Sequence, residues 1–174
     1  MPDRDTEEPN SEAGPTVAAR PLENAGDFRT ALVELLQGAR RRVFIFSGHL
    51  AHELYSDHLV AGAISEFARR SRYAQLQILV RDGDRLAREF NRTHNLAQRL
   101  SSRIQLRCIN ATAETPQMEF VLGDTRDVLL REDREQWLGV YAADDRVRAR
   151  RLAETFQQQW EQASEDPALR RLFL

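Results

Sequence analysis

The sequence contains no lysine: all 25 of its positively charged side chains are arginine. A Schiff-base lysine, the lysine of a phosphate-binding P-loop and any lysine nucleophile or general base are therefore excluded. Arginine does not replace them, because its guanidinium stays protonated at physiological pH. Abundant Arg and Ala are typical of GC-rich genomes, so codon usage is the simplest account, but the chemical exclusion holds whatever the cause. Cysteine is scarce too. The single Cys108 rules out an internal disulfide and a cysteine-built zinc site, and it fits a reducing compartment. No run approaches the roughly 20 apolar residues of a membrane span. The opening residues, MPDRDTEEPNSEAGP, hold no apolar stretch that would serve as a signal peptide. A cytoplasmic protein without membrane insertion is expected.

What is present suits one folded domain. The chain has 174 residues, 41% of them apolar, enough to bury a sheet between helices. Residues 1–20 carry Asp3, Asp5, Glu7, Glu8 and Glu12 against two arginines, a net charge of −3. With three prolines and no hydrophobic periodicity, they read as a disordered acidic leader to a domain spanning 21–174. The other 154 residues hold 22 acids and 23 arginines, so the body is near neutral and shows no footprint for sequence-independent nucleic-acid binding. The clusters Arg40-Arg41-Arg42 and Arg69-Arg70-Arg72 offer a local patch. They also fall at expected helix ends, where cations complement the dipole. On this charge balance nucleic acid is not an expected partner.

Hydrophobic spacing predicts a helix capped by Asn24 or Asp27, with Phe28, Leu32, Leu35 and Leu36 on one side, ending near Gly38. A buried-type strand over 42–46 follows, closed by Ser47-Gly48. Asp57 caps a second helix reaching Arg70, and Leu76–Val80 forms a strand stopped by Asp82-Gly83. A third helix is expected from 84 to 100, with Leu86, Phe90, Leu96 and Leu100 apolar, then a half-buried strand over 104–109. Three short strands, 118–122, 127–130 and 137–141, precede a last helix over 145–163 that turns Val147, Leu152, Phe156 and Trp160 inward. The order implies an α/β fold, a mixed β-sheet flanked by helices. Its early strands are parallel and its later ones antiparallel.

These pieces, in order, resemble a half-domain of the phospholipase D-like superfamily. The resemblance runs over about 25–165: Val43–Gly48, the helix ending Arg69-Arg70, Gln75–Asp82, and the closing helix with Phe156 and Trp160. The family signature His-x-Lys-x(4)-Asp falls on Gln117-Met118-Glu119-Phe120-Val121-Leu122-Gly123-Asp124, where only Asp124 matches. The Gly-Ser-x-Asn stretch that often follows falls on Arg131-Glu132-Asp133-Arg134 and matches nothing. In the family the histidine attacks phosphorus and the lysine stabilises charge on the phosphoryl oxygens. Gln117 has no basic nitrogen for that attack, and Glu119 reverses the sign of the stabilising charge. Two unit charges about 4 Å apart interact by roughly 4 kcal/mol at an effective dielectric near 20, so the exchange disfavours a bound phosphate by several kcal/mol. The resemblance thus implies a bacterial domain that is not an enzyme: a non-catalytic module acting through a protein partner or as a homodimer, without a cofactor.

The alternative is a phosphoester-binding or metal-dependent enzyme with a different constellation, His49, His52, Glu119 and Asp124. In it, His49 and His52 follow the first core strand, with Asp57 or His58 nearby. His-x-x-His-Glu over 49–53 is not a zinc-peptidase pattern, so no metal is assigned. Five acids, Glu119, Asp124, Asp127, Glu132 and Asp133, are candidates to gather at one rim. His94 reads as part of a solvated helix face and Cys108 as a small core residue.

Overall fold

The computed structural model describes residues 18–165 and 167–170. Its strands are β1 (Arg20–Leu22), β2 (Arg42–Ser47), β3 (Gln75–Val80), β4 (Ile104–Cys108), β5 (Glu119–Gly123), β6 (Asp127–Arg131) and β7 (Gly139–Ala142). Its α-helices are α1 (Ala25–Gly38), α2 (His52–Tyr55), α3 (His58–Arg70), α4 (Gly83–Arg88), α5 (Arg92–Arg99) and α6 (Arg146–Gln162). The strands form one sheet of seven in the order β1-β7-β6-β5-β2-β3-β4. As the element order implied, β2, β3 and β4 are parallel, while β5, β6 and β7 join antiparallel on the other side of β2.

The central strands are apolar on both faces, and their alternation sorts side chains into two cores. Val43, Ile45, Leu76, Ile78 and Val121 meet Leu32, Leu35 and Leu36 of α1 and Ile64 and Phe67 of α3. Phe44, Phe46, Phe120, Leu122 and Val128 face the other way, onto Leu152, Phe156 and Trp160 of α6. Phe44 stacks on Phe156 with ring centroids 4.6 Å apart, and Phe46 stacks on Phe120 at 5.1 Å. Burying each such side chain contributes about 1.5–3 kcal/mol, so α6 is held by a few aromatic contacts.

Several expectations are revised. The helix expected over 84–100 is two, α4 and α5, because Asn91 is extended and its side chain accepts from the Thr93 and His94 N–H groups. This local cap ends helical continuity, and it leaves Phe90 60% exposed instead of in the core. Val147, also expected inside, is 68% exposed on α6. His94 is buried, not solvated: its Nε2 lies 3.0 Å from the Leu169 carbonyl oxygen, in the short 3₁₀ turn Pro167–Arg170. Two elements had no signal: β1, of three residues, which takes Arg20 out of the expected leader, and the single turn α2. The rest of that leader, 1–17, lies outside the described residues.

Candidate functional site

The strand directions bring four segment ends together at one edge of the sheet: the ends of β2, β3 and β6 and the start of β5. They frame a cleft of about 390 Å³ whose lining includes His49, Arg85, Glu119, Arg131, Arg134 and Trp137. Glu119 sits at its floor and is almost entirely engaged. Its Oε2 accepts from the Ser47 hydroxyl at 2.6 Å and from the Gly48 N–H at 2.8 Å, and its Oε1 meets Arg131 Nη1 at 3.2 Å. The repulsion inferred for Glu119 is therefore offset within the protein, since Arg131 supplies the opposite charge at contact distance.

Each partner of Glu119 is itself positioned. Ser47 Oγ also accepts from the Leu50 N–H at 3.0 Å, and Asn91 Nδ2 donates to the Leu50 carbonyl at 2.8 Å. Leu50 has φ 58°, a left-handed conformation that costs a branched residue of order 1 kcal/mol or more. Together these bonds hold the turn that presents Gly48 and His49. Arg131 donates to the carbonyls of Gln136 at 2.7 Å and Arg134 at 2.6 Å, with its guanidinium 3.8 Å from the centre of the Trp137 ring. Buried Arg81, just past β3, grips the Gln117 segment: Nη1 reaches the Pro116 carbonyl at 2.8 Å and Gln117 Oε1 at 3.3 Å, and Nη2 the Gln117 carbonyl at 3.2 Å.

Electrostatics follow from this packing. Burial, then Arg85, lowers the His49 pKa, against the opposing pull of Glu119, Glu89 and Asp82. Burial, then Arg134, lowers that of Arg81, while Glu119 raises it. Burial, reinforced by Glu119, pushes the Tyr55 phenol far above its ordinary value, so it stays protonated.

The four residues of the alternative constellation do not converge. His49 and Glu119 line the cleft; His52 is exposed at the start of α2 and is not in the lining. Asp124 lies just past the far end of β5, about 17 Å along the strand from Glu119 at about 3.4 Å per residue. There its carboxylate accepts from the backbone N–H groups of Arg40, Arg41 and Arg42 at 2.7, 2.9 and 3.0 Å, so it fixes the turn into β2. The acids divide in the same way: Asp127 pairs with Gly123 at the far end of the sheet, whereas Glu119 pairs with Arg131. Asp57 caps α3 through the Leu59 and Val60 N–H groups. Among the described residues no three His, Cys, Asp or Glu side chains are grouped to hold a metal ion. Sequence reasoning missed Ser47, Arg81, Arg85 and Arg134 as site residues and gave Arg131 no role. Ser47, Arg81 and Arg131 shared one signal, a polar residue closing or directly following an apolar strand run, where open α/β sheets carry their sites; Arg85, in α4, and Arg134, three residues past β6, had none.

This mixed sheet flanked by helices is similar to the fold of solved phospholipase D-family structures. The domain is similar to Nuc from Salmonella typhimurium, a phospholipase D family member, with TM-score 0.57, 13% identity and 86% and 97% of the two chains covered. It is similar also to NucT from Helicobacter pylori, with TM-score 0.63, 12% identity and 86% and 99% covered. A third similar fold is in TrmBL2, an archaeal chromatin protein with a novel mode of DNA binding: TM-score 0.62, 14% identity, 90% of this chain and 57% of that one. The chain thus spans just over half the length of TrmBL2. Within this fold the chain belongs to the family described as a domain of unknown function (DUF7931), whose profile matches residues 24–172. No curated protein matches it in sequence.

One expectation is corrected here. Near-neutral net charge argued against nucleic acid as a partner, yet a DNA-binding chromatin protein shares the fold. Net charge averages over the surface, whereas binding depends on where the charges lie. No helix among the described residues is long and apolar enough to cross a membrane.

Proposed function

We propose that this is a non-catalytic phospholipase D-like domain, an accessory module that binds without cleaving. The observation that supports it is the occupied Glu119 carboxylate. At the position of the family's lysine stands an acid already bonded to Ser47, Gly48 and Arg131. It has no positive charge for a phosphoryl oxygen, and Gln117, with its non-basic amide, is tied to Arg81. Both chemical requirements of the family's phosphotransfer are missing. The test is incubation with bis(p-nitrophenyl) phosphate, single-stranded DNA and phospholipid vesicles. Product no higher than in buffer is expected. Turnover that disappears in Gln117→Ala would overturn the reading.

A second reading, a phosphodiester held uncleaved in the cleft, is favoured by Arg85 and Arg134 on its walls. Calorimetric titration with the same phosphodiester discriminates: saturable heat abolished by Arg85→Ala supports a ligand site, and no heat supports a module without one.

A further inference from the structure

At the end of the sheet opposite the cleft, the fold brings together two arginine clusters about thirty residues apart in sequence. The turn before β2 carries Arg40, Arg41 and Arg42; the end of α3 and the turn before β3 carry Arg69, Arg70, Arg72 and Tyr73. These turns are bonded to each other. Gln75 donates its N–H to the Arg41 carbonyl at 2.8 Å, and Arg42 stands beside Gln75 in the β2–β3 register. Arg70 donates to the carbonyls of Leu36, Gln37 and Ala39, so it caps the end of α1, the structural role that cations at helix ends were expected to play.

Arg40, Arg41, Arg42 and Arg69 have no such task, and among the described residues Arg72 donates only to the exposed Tyr73 hydroxyl, at 2.5 Å. Arg40, Arg41, Arg42, Arg69 and Arg72 are all exposed, and none is in an ion pair among the described residues. Four acids share this end: Asp124, turned onto the backbone N–H groups of the first cluster; Asp127 and Asp144, paired with Arg126 and Arg146; and exposed Glu66, three residues before Arg69. The local balance stays positive, although the chain as a whole is at −2. Beside the arginines, Tyr73 is 63% exposed and stands under the Arg72 guanidinium, 4.8 Å from its ring centre. Cations that follow a backbone, combined with an open aromatic ring on which a base stacks, are the chemistry of single-strand recognition.

We infer that this basic end, and not the cleft, is a binding surface for single-stranded nucleic acid. Its arginines contact successive phosphates and Tyr73 stacks on a base. An acidic peptide would satisfy the arginines but would make no use of the ring. The inference does not rest on the cleft being inactive.

The experiment is fluorescence anisotropy of a labelled oligodeoxynucleotide of roughly 16 nucleotides with the full chain. Roughly four phosphate contacts at a salt slope near −0.7 each predict an affinity loss of about 50-fold between about 50 and 200 mM salt. Arg41→Glu/Arg72→Glu should weaken binding at least about 10-fold at the lower salt and flatten the slope. Arg150→Glu/Arg151→Glu, the same charge change on exposed α6 positions, should leave the wild-type slope. Tyr73→Ala reads the stacking separately and is independent of how the charge variants fold. About 10-fold weaker binding with an unchanged slope is expected. No salt-dependent binding by the wild type overturns the inference, as does binding lost in Arg85→Glu/Arg134→Glu but retained in Arg41→Glu/Arg72→Glu. An oligoglutamate peptide that binds as tightly and is equally weakened by Tyr73→Ala overturns it too.

Discussion

Glu119 and Arg131 are directly opposite each other on neighbouring antiparallel strands, and their side chains close an ion pair of 3.2 Å at the cleft floor. Both are mostly shielded, with side-chain exposures of 12% and 10%. The pair converts what would be a misplaced negative charge into a structural joint. It ties β5 to β6 directly and, through Ser47 and Gly48, to the turn after β2.

Breaking that joint should be costly. Removing one partner of a shielded pair leaves the other uncompensated, at about 3 kcal/mol. Glu119→Lys should be the worst, because it sets a cation against Arg131. Glu119→Gln should be milder, since its amide oxygen still accepts from Ser47 and Gly48. Urea midpoints check the order; a Glu119→Lys protein as stable as wild type would contradict it.

Asp124 is expected to matter for stability alone. Asp124→Ala forfeits three backbone hydrogen bonds to a carboxylate and leaves Ala with φ near 53°. A loss of about 2–3 kcal/mol follows. Thermal unfolding measures it, while calorimetry with a phosphodiester should show no change in any cleft binding.

His94 should titrate below its ordinary value of 6.5, because burial disfavours the imidazolium more than the Leu169 carbonyl favours it. Above that value folded and unfolded chains both carry neutral His94, and stability is full. As pH falls below it, the unfolded chain takes up the proton first, so stability declines until the lowered folded value is passed. His49, shifted the same way, adds to the trend. Proton NMR of the ring gives the midpoint directly, and one at or above 6.5 for His94 would contradict this account.

Gly139→Ala should abolish folding. An added Cβ would stand 2.0 Å from the Leu130 carbonyl oxygen and 2.8 Å from Phe28 Cζ. Neither can yield, because Leu130 lies in β6 beside β7 and Phe28 is packed edge-on to Trp137, centroids 5.4 Å apart. Loss of soluble protein or of the near-ultraviolet circular dichroism signal is the readout; a native spectrum would contradict it.

Much of the fold was legible because its signals are local. The apolar run Val43-Phe44-Ile45-Phe46, closed by Ser47-Gly48, and the helical spacing of Phe28, Leu32 and Leu35 identify strand and helix without reference to the rest of the chain. The split at Asn91 was missed because one side-chain cap outweighed a periodicity that continued past it. The candidate site was half legible. Matching the signature located Glu119, but spacing along a chain says nothing about which strand lies next to which. Arg131 therefore had no role, and Asp124 was grouped with residues at the other end of the sheet.

By itself the sequence determined the absence of lysine chemistry, the non-basic Gln117 and the acid at 119, because these are facts of side-chain type. It also determined most of the elements, through periods of two and 3.6 that any local stretch displays. Only the tertiary structure decided that Glu119 is neutralised by Arg131, that Asp124 serves a turn, and that two arginine clusters share one end of the sheet. Those outcomes depend on strand order and direction. Contacts between segments distant in sequence set that order, and they leave no periodic trace.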